Sequence, residues 1–293
     1  MAVTLVSDSI CTELQAKRAL RISHGRYDDE IKELINVVTS RIENIVGTGV
    51  AAANYYEWYA GDQESTVILQ HRPVIYVERV AYGQTNGIEI QYTGSAIRAM
   101  VQVYEDGVRT ISTAADGTQT TTNSTFATSP TNSAMATTLN SLSDWTATAQ
   151  GDDARSYDLH PTGGRDAKTS AIMLTYPDQD ANDYRVDRGA GLLRFHTWPL
   201  AAYDELSTLG APTGWENILI EYRAGYETVP NDIMGVAAEA VALLFTRQTK
   251  DRSASSEGVG GHSVSNIDEL KLDAILRQKL RSYTNVSVGG LTS

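Results

Sequence analysis

The feature that most limits the fold is an alternating strand, a glycine turn and an apolar helix in direct succession. Residues 218–223 lead into Gly225, which can turn the chain because it has no Cβ, and Pro230 suits the first turn of a helix. The helix, residues 231–246, is too short to span a membrane and carries Glu239. It must be buried nearly all round, as the central helix of one domain or partly against a neighbouring subunit. Its two apolar faces hold Ile233, Val236, Ala237, Ala240, Val241 and Leu244, and Met234, Ala238, Ala242 and Phe245.

Two helices are predicted before residue 50. The first spans about residues 7–20, with Ser7 or Asp8 as its cap. The second begins at Asp28 as N-cap, continues with two more acidic residues that favour the positive end of the helix dipole, and ends at Gly47. One face of the second helix is apolar and consists of Ile31, Leu34, Ile35, Val38, Ile42 and Ile45.

The pattern then changes from helical to alternating. Strands are predicted at residues 55–59 and 66–69, which flank Gly61-Asp62 as a hairpin, and at residues 75–82. Helices on one side of a sheet define an α+β frame with two N-terminal and two C-terminal helices. The small antiparallel sheet of this frame would be completed by residues 192–195 and 218–223.

The stretch between residues 93 and 183 differs from the rest of the chain in amino-acid composition. Residues 110–150 are rich in Thr, Ser and Ala, yet they keep structural signals, with a helix predicted after Pro130. We therefore predict an inserted α+β subdomain at 93–183, a core formed by 1–92 and 184–283, and an extended C-terminal tail at 284–293. Strands of the insert are predicted at residues 101–104, 145–148 and 172–175.

Charge and cysteine content limit the function. The net charge of -12 argues against stable DNA binding, which needs Lys and Arg to neutralise phosphates. An acidic channel would let DNA pass without binding, although solubility alone also accounts for an acidic chain. The one cysteine, Cys11, forms no intrachain disulfide and suits a reducing cytoplasm. The sequence has no charged leader before an apolar stretch, so neither secretion nor membrane insertion is indicated.

The sequence offers no motif for catalysis, a metal or a cofactor, and we predict none of the three. The five histidines are dispersed, and Cys11 has no assignable partner. Residues 178–183 imitate a calcium loop but have Asp183 at the sixth position, where glycine is required. The segment 258–261 is glycine-rich but lacks the lysine of a phosphate-binding loop, and we interpret it as flexible.

Several separated motifs occur in an order that resembles the head-tail connector (adaptor) family of tailed bacteriophages. The resemblance covers roughly residues 1–92 and 184–283. The motifs are Asp28-Asp29-Glu30-Ile31, Tyr56-Glu57-Trp58-Tyr59-Ala60-Gly61, Leu69, Pro73-Val74, Val77, Gly191-Leu192-Leu193-Arg194-Phe195, Trp198-Pro199, Tyr222-Arg223-Ala224-Gly225-Tyr226, Val229-Pro230 and Asp251-Arg252 with Glu257-Gly258.

The resemblance implies a non-enzymatic structural protein of the virion neck, assembled in the host bacterial cytoplasm. It implies a twelve-fold homo-oligomeric ring that docks on the portal protein and extends the DNA channel toward the tail. Stopper, nozzle or tail-tube proteins would then be neighbours, and DNA would pass transiently without specific binding. The insert would project outward, toward tail fibres or the capsid, and no membrane is involved.

The interface hypothesis combines two segments near the C-terminus. A long loop at 251–265 would lie at a subunit or channel edge, and a last helix, capped by Asn266, would present a basic face to an acidic partner. In the resembling family the tail meets the portal. The predicted interface residues are Asp251, Arg252, Glu257, Arg277, Arg281, Tyr283, Asn285, Val286, Val288 and Leu291.

Two alternatives remain open at the level of sequence. One is another neck component, a stopper or tail-completion protein, which should lack the two-helix C-terminal end. The other is a carbohydrate-binding or enzymatic module in which Trp145, Tyr157 and Tyr176 of the insert form a ligand surface. Exposed aromatic rings would favour this second alternative, and buried rings would disfavour it.

Overall fold

The fold is α+β, as predicted. A computed structural model describes residues 3–61, 66–151, 153–195, 214–249 and 269–284. The helices are α1 (Glu13–Leu20), α2 (Asp28–Val46), α3 (Asn132–Asn140), α4 (Asn231–Thr249) and α5 (Glu269–Lys279). The strands are β1 (Ala53–Gly61), β2 (Thr66–Ile68), β3 (Val74–Tyr82), β4 (Thr85–Tyr92), β5 (Arg98–Tyr104), β6 (Gly107–Thr113), β7 (Gln119–Thr125), β8 (Trp145–Ala149), β9 (Arg165–Asp166), β10 (Ile172–Tyr176), β11 (Gln179–Asp180), β12 (Tyr184–Asp187), β13 (Leu192–Phe195) and β14 (Gly214–Ala224).

Helices α1, α2, α4 and α5 share one hydrophobic core. The predicted apolar face of α2 is buried, and Gly47 ends the helix in a left-handed conformation, φ 79°. The prediction of Asp28 as N-cap is wrong by one residue, because Tyr27 is the N-cap and Asp28 is the first residue of the helix. The prediction that α1 starts at Ser7 or Asp8 is wrong. Thr12 caps α1 instead, because its hydroxyl and the side chain of Gln15 satisfy each other's backbone N–H groups in a capping box.

Helix α4 is the central helix of this core and contacts α1, α2 and α5. Both predicted apolar faces contribute to the core, since Ile233 and Val241 on one face and Phe245 on the other are buried. The burial is less complete than predicted. A narrow strip with Gly235, Glu239 and Leu243 is exposed, and the Leu243 side chain is 40% exposed.

The main sheet of the frame has the order β1-β14-β3-β11, with β14 antiparallel to both β1 and β3. The predicted hairpin between β1 and β2 is wrong, because β2 pairs with β13 in a second sheet of order β12-β13-β2. Residues 192–195 therefore also lie in this second sheet and not beside β14. The two sheets pack together around Leu69, Val80, Leu193, Ile218 and Ile220.

The insert forms a third core between two further sheets, β10-β4-β8 and β7-β6-β5-β9, with α3 packed on them. Strand β4 belongs to this core through Ile88 and Ile90, both 0% exposed, although it precedes residue 93. Helix α3 follows Pro130, as predicted, and buries Met135 and Leu139. The chain leaves the frame at Gly83 and returns at Asp178, where Tyr82 of β3 pairs with Gln179 of β11.

Gly225 joins the main sheet to the helical core, as the sequence predicts. Its φ is +102°, a conformation that L-residues rarely adopt, and a Cβ there would lie 2.5 Å from the carbonyl oxygen of Ala51. The turn holds the start of α4 against the segment that leaves α2, since Tyr226 N donates to Val50 O at 2.9 Å.

We expect Gly225→Ala to lower the free energy of unfolding by about 1–3 kcal/mol, because it combines a strained φ with a steric clash. The matched control is Gly235→Ala, which lies on the exposed strip of α4 with no atom within 4 Å of the added Cβ. That change should stabilise the chain by about 0.5–1 kcal/mol, since alanine favours the helix. Urea denaturation of both variants measures the difference, and equal stability would contradict the assigned turn.

Candidate functional site: interface surfaces and polar clusters

Three of the predicted interface residues lie at the end of α5. Arg277 and Arg281 are exposed, whereas Tyr283 is half-buried and its hydroxyl donates to Asp232 at the start of α4. This hydrogen bond raises the pKa of Tyr283 to about 12. The other predicted interface residues, and the predicted cap Asn266, lie outside the described residues: Asp251, Arg252, Glu257, Asn285, Val286, Val288 and Leu291.

Two charged residues of α5 form ion pairs with other helices of the same chain. Lys279 forms an ion pair with Glu239 on the exposed strip of α4, and Asp273 lies 3.7 Å from the Arg41 guanidinium of α2. Leu272, Leu276 and Leu280 are buried on the opposite face. Arg277 and Arg281 are exposed at this end of the helical core, and we treat them together as a basic pair.

A network of charged residues fixes the insert against the main sheet. We call it the joint, and it consists of Tyr56, Arg79, Asp180 and Glu221 from the frame and Arg155 and Asp158 from the insert. Asp158, whose side chain is 5% exposed, accepts from Arg79 Nη1 at 2.8 Å, Arg155 Nη2 at 3.0 Å and the Tyr56 hydroxyl at 2.9 Å. One buried carboxylate therefore links β1, β3 and the insert.

Two further carboxylates complete the joint from the frame side. Glu221 of β14 pairs with Arg155, and Asp180 of β11 accepts from Arg79 Nε at 2.7 Å. Burial raises the pKa of Tyr56, and the Asp158 carboxylate raises it further, so the phenol stays protonated and donates. With every charged member facing an opposite charge, the joint holds the insert in one orientation.

A second polar cluster lies between the main sheet and the end of α2. His71 Nδ1 lies 3.0 Å from Thr48 Oγ1, and its Nε2 lies 3.1 Å from Glu57 Oε1. The order hydroxyl, imidazole, carboxylate is that of a nucleophilic triad. However, Thr48 is 7% exposed and the Tyr55 ring stacks on the imidazole at 3.7 Å, so the hydroxyl is not presented to a substrate.

The Glu57 carboxylate is the centre of this second cluster. Burial alone would raise the pKa of Glu57, but hydrogen bonds from His71, Tyr222 and Tyr59 outweigh burial and hold the pKa below its ordinary value. The Tyr222 hydroxyl donates at 2.6 Å. The cluster therefore ties β1 to β14 and to the segment before β3, a structural task.

The only cysteine of the chain, Cys11, is buried in the helical core. Cys11 is 2% exposed, and burial raises the pKa of its thiol to about 11, which keeps it protonated. Among the described residues no group of three His, Cys, Asp or Glu side chains is placed to hold a metal ion. No helix in the described part of the chain is long and apolar enough to cross a membrane.

The aromatic residues proposed for a ligand surface on the insert are mostly buried. Trp145 and Tyr176 are each 7% exposed, and only Tyr157 is open, at 40%. Tyr157 itself packs edge-on against Tyr56 of the frame, with ring centroids 6.4 Å apart. By the criterion set from the sequence, this burial disfavours an exposed aromatic platform.

Comparison with known proteins gives distant structural likenesses only. Neither a family model nor a curated protein matches the chain. A chain from the neck of an empty gene transfer agent particle, computed with C6 symmetry, is 11% identical with a TM-score of 0.39, covering 99% of this chain and 97% of that chain. A chain from the virion of the native particle is 12% identical with a TM-score of 0.41 and the same coverage, 99% and 97%. At these TM-scores the chain paths differ, and we base no argument on the likeness.

We expect Asp158→Ala to lower the free energy of unfolding by about 1–3 kcal/mol, because Tyr56, Arg79 and Arg155 lose a buried acceptor while both guanidinium groups keep other carboxylate partners. The control is Glu227→Ala, which removes an exposed i,i+4 pair with Arg223 and should cost less than about 1 kcal/mol. Chemical denaturation measures both, and hydrogen exchange should show faster exchange at residues 153–160. A loss no larger than that of the control would contradict a joint that fixes the insert.

We also expect Glu57 to make the frame sensitive to acid. Because its folded pKa lies below its unfolded value, Glu57 contributes stability above the unfolded pKa, and this contribution is lost as pH falls through the folded pKa. Glu57→Gln should therefore flatten the decline of the unfolding free energy below about pH 5. Exposed Glu78→Gln is the control. If the unfolding free energy of both variants declines with falling pH as in the wild type, Glu57 is not the source of the acid sensitivity.

Proposed function

We propose that this chain is a structural protein of a virion neck, a head-to-tail adaptor that forms a ring on the portal and extends the DNA channel toward the tail. The supporting observation is that the motifs of the resemblance lie together in space, although the insert separates them in sequence. The Tyr222 hydroxyl of β14 donates to Glu57 of β1 at 2.6 Å, and Tyr222 pairs in register with Val77 of β3. The motifs of the resemblance therefore belong to one folded unit, although they are far apart in sequence.

The connection between sheet and helices follows the same motifs. Gly225 turns the chain from β14 to α4, and Ala52 N donates to Tyr226 O at 3.1 Å. The Asp28–Ile31 motif opens α2, which packs directly on α4. A body built in this way offers both a rigid sheet and a helical end for assembly.

The helical end favours the adaptor over the other neck components considered. A stopper or tail-completion protein should lack the two C-terminal helices, and both α4 and α5 are formed here. The alternative of a carbohydrate or enzymatic module as the main function is weaker, because Trp145 and Tyr176 are buried. The adaptor remains the function that the geometry supports best.

We assign the surfaces of this ring as follows. The exposed pair Arg277 and Arg281, with the predicted tail residues Asn285, Val286, Val288 and Leu291, contacts the portal. The exposed strip of α4, with Leu243, faces a neighbouring subunit together with the predicted loop residues Asp251, Arg252 and Glu257. A head-to-tail interface of this kind closes into a ring. The insert, held by the joint, points toward tail fibres or the capsid, and stopper, nozzle or tail-tube proteins follow along the channel.

The test is co-expression with the portal protein of the same particle, followed by mass measurement and particle imaging. We expect a ring of about twelve copies on the portal, the number that the resemblance implies, built from a heterologous interface that closes on itself. A single copy per portal vertex would exclude the proposal.

Charge reversal tests the portal-facing surface. Arg277→Glu with Arg281→Glu should weaken attachment to the portal, because both guanidinium groups are exposed at the end of α5. The control, Arg98→Glu with Arg185→Glu, makes the same change of charge at exposed positions on β5 and β12. Equal attachment of the two double variants would remove the assignment of this surface.

A frame without its insert separates ring formation from the task of the insert. Replacing residues 84–177 with a short Gly/Ser linker retains the Tyr82–Gln179 pair that already brings the ends together. The deletion also removes β4. If β4 remained without the rest of the insert, its buried residues Ile88 and Ile90 would be exposed. We expect this frame to form the ring and to lose one outer component. Loss of the ring would place the insert in the subunit interface.

A further inference from the structure

The insert carries a groove with a volume of about 600 Å³, within the range of ligand sites. It lies between the hairpin of β6 and β7 and the chain segments at the end of β4 and the start of β8. We call it the hydroxyl groove, because serine and threonine side chains form much of its lining. Its defining residues are Tyr92, Thr118, Thr120, Thr122, Asp144 and Trp145.

One wall of the hydroxyl groove is an array of hydroxyl groups on paired strands. Ser112 of β6 pairs in register with Thr120 of β7, and Thr110 pairs with Thr122, so hydroxyls face the groove as cross-strand pairs. Threonine is branched at Cβ and restricted at χ1, so these hydroxyls are held in place before a ligand arrives. Preorganised groups lose little entropy on binding.

The opposite wall presents one carboxylate. Asp144 has φ +66°, a left-handed conformation that Asp and Asn tolerate better than most residues. Its carbonyl oxygen accepts from Thr93 N at 2.8 Å and from Thr93 Oγ1 at 3.2 Å. Gly94 permits this close approach, since a Cβ there would lie 2.5 Å from the Asp144 Cβ. These contacts fix the backbone of Asp144 at the edge of the groove, and its side chain is exposed there.

The floor is apolar and only slightly exposed. The rings of Tyr92 and Trp145 pack edge to face with centroids 5.1 Å apart, and their exposures are 6% and 7%. A ligand would therefore touch their edges beneath a hydroxyl-lined wall. This arrangement differs from a platform of open rings.

The charge of the lining excludes several ligand classes. Among the described residues that line the hydroxyl groove, Asp144 is the only charged one. Nearby Lys168 donates its ammonium to Gly94 O and lies 5.3 Å from the Tyr92 ring centroid. Phosphates, nucleic acids and other polyanions need cationic partners, which this lining does not supply.

We propose that the hydroxyl groove binds a neutral saccharide. A sugar ring carries hydroxyls that both donate and accept, and the Ser and Thr hydroxyls of the wall can do the same. The Asp144 carboxylate accepts from two sugar hydroxyls, and the apolar C–H surface of the ring packs on the floor. This inference goes beyond the neck function and does not depend on ring formation.

The test uses maltohexaose, cellohexaose, mannohexaose and laminarihexaose as probes, titrated calorimetrically into the full chain at millimolar concentrations. At least one probe should bind the wild type. Thr120→Val with Thr122→Val should weaken that binding about tenfold or more, because each substitution removes a hydrogen bond but keeps the β-branched shape.

The matched control is Thr121→Val, on the same strand but with its side chain on the opposite face of the hairpin. It should leave the affinity unchanged. Asp144→Asn tests the other wall, since Asn tolerates the left-handed conformation and removes only the charge. It should also weaken binding.

Three results would overturn the proposal. They are no binding of any probe, equal loss in the Thr121 control, or tighter binding of a heparin-derived hexasaccharide than of every neutral probe. Melting temperatures equal to that of the wild type show that the variants are folded.

Discussion

Strand β14 is the element on which the frame depends. It pairs with β1 on one side and β3 on the other, and Ile218, Leu219 and Ile220 are all 0% exposed. Backbone groups this deeply buried must find partners, so the register of three strands is set together. The same strand supplies Glu221 to the joint and, through Gly225, the entry to α4. Sheet, helices and insert therefore meet along one segment of chain.

Local patterns in the sequence predicted the elements well and their partners poorly. The apolar face of α2 and the strand-turn-helix at Gly225 depend on neighbours in the chain, and both are confirmed. The hairpin between β1 and β2 is not, because β1 pairs instead with a strand so distant that Glu57 and Tyr222 are 165 residues apart in sequence. The start of α1 was missed for a local reason. Thr12 and Gln15 form a better cap than Ser7 or Asp8.

The joint was not predictable from single residues. In the sequence Arg79, Arg155 and Asp158 look like ordinary surface charges, and the burial of Asp158 arises only when the insert folds back on the sheet. One signal was available, since Asp153, Arg155 and Asp158 form a charged run next to Tyr157 in an otherwise Thr-rich insert. The Glu57 cluster was equally hidden, because His71 has no acidic residue near it in sequence.

The closeness of Gly83 and Asp178 affects how the chain can fold. Closing a long loop costs more entropy than closing a short one, and β3 and β14 lie on opposite sides of the insert in sequence. Once the insert has folded on its own core, its two ends are already adjacent, so the search for the β3–β14 pairing spans far fewer free residues. The folded insert thus shortens the flexible loop that separates β3 from β14. Early folding of the insert would therefore speed the pairing of these two strands.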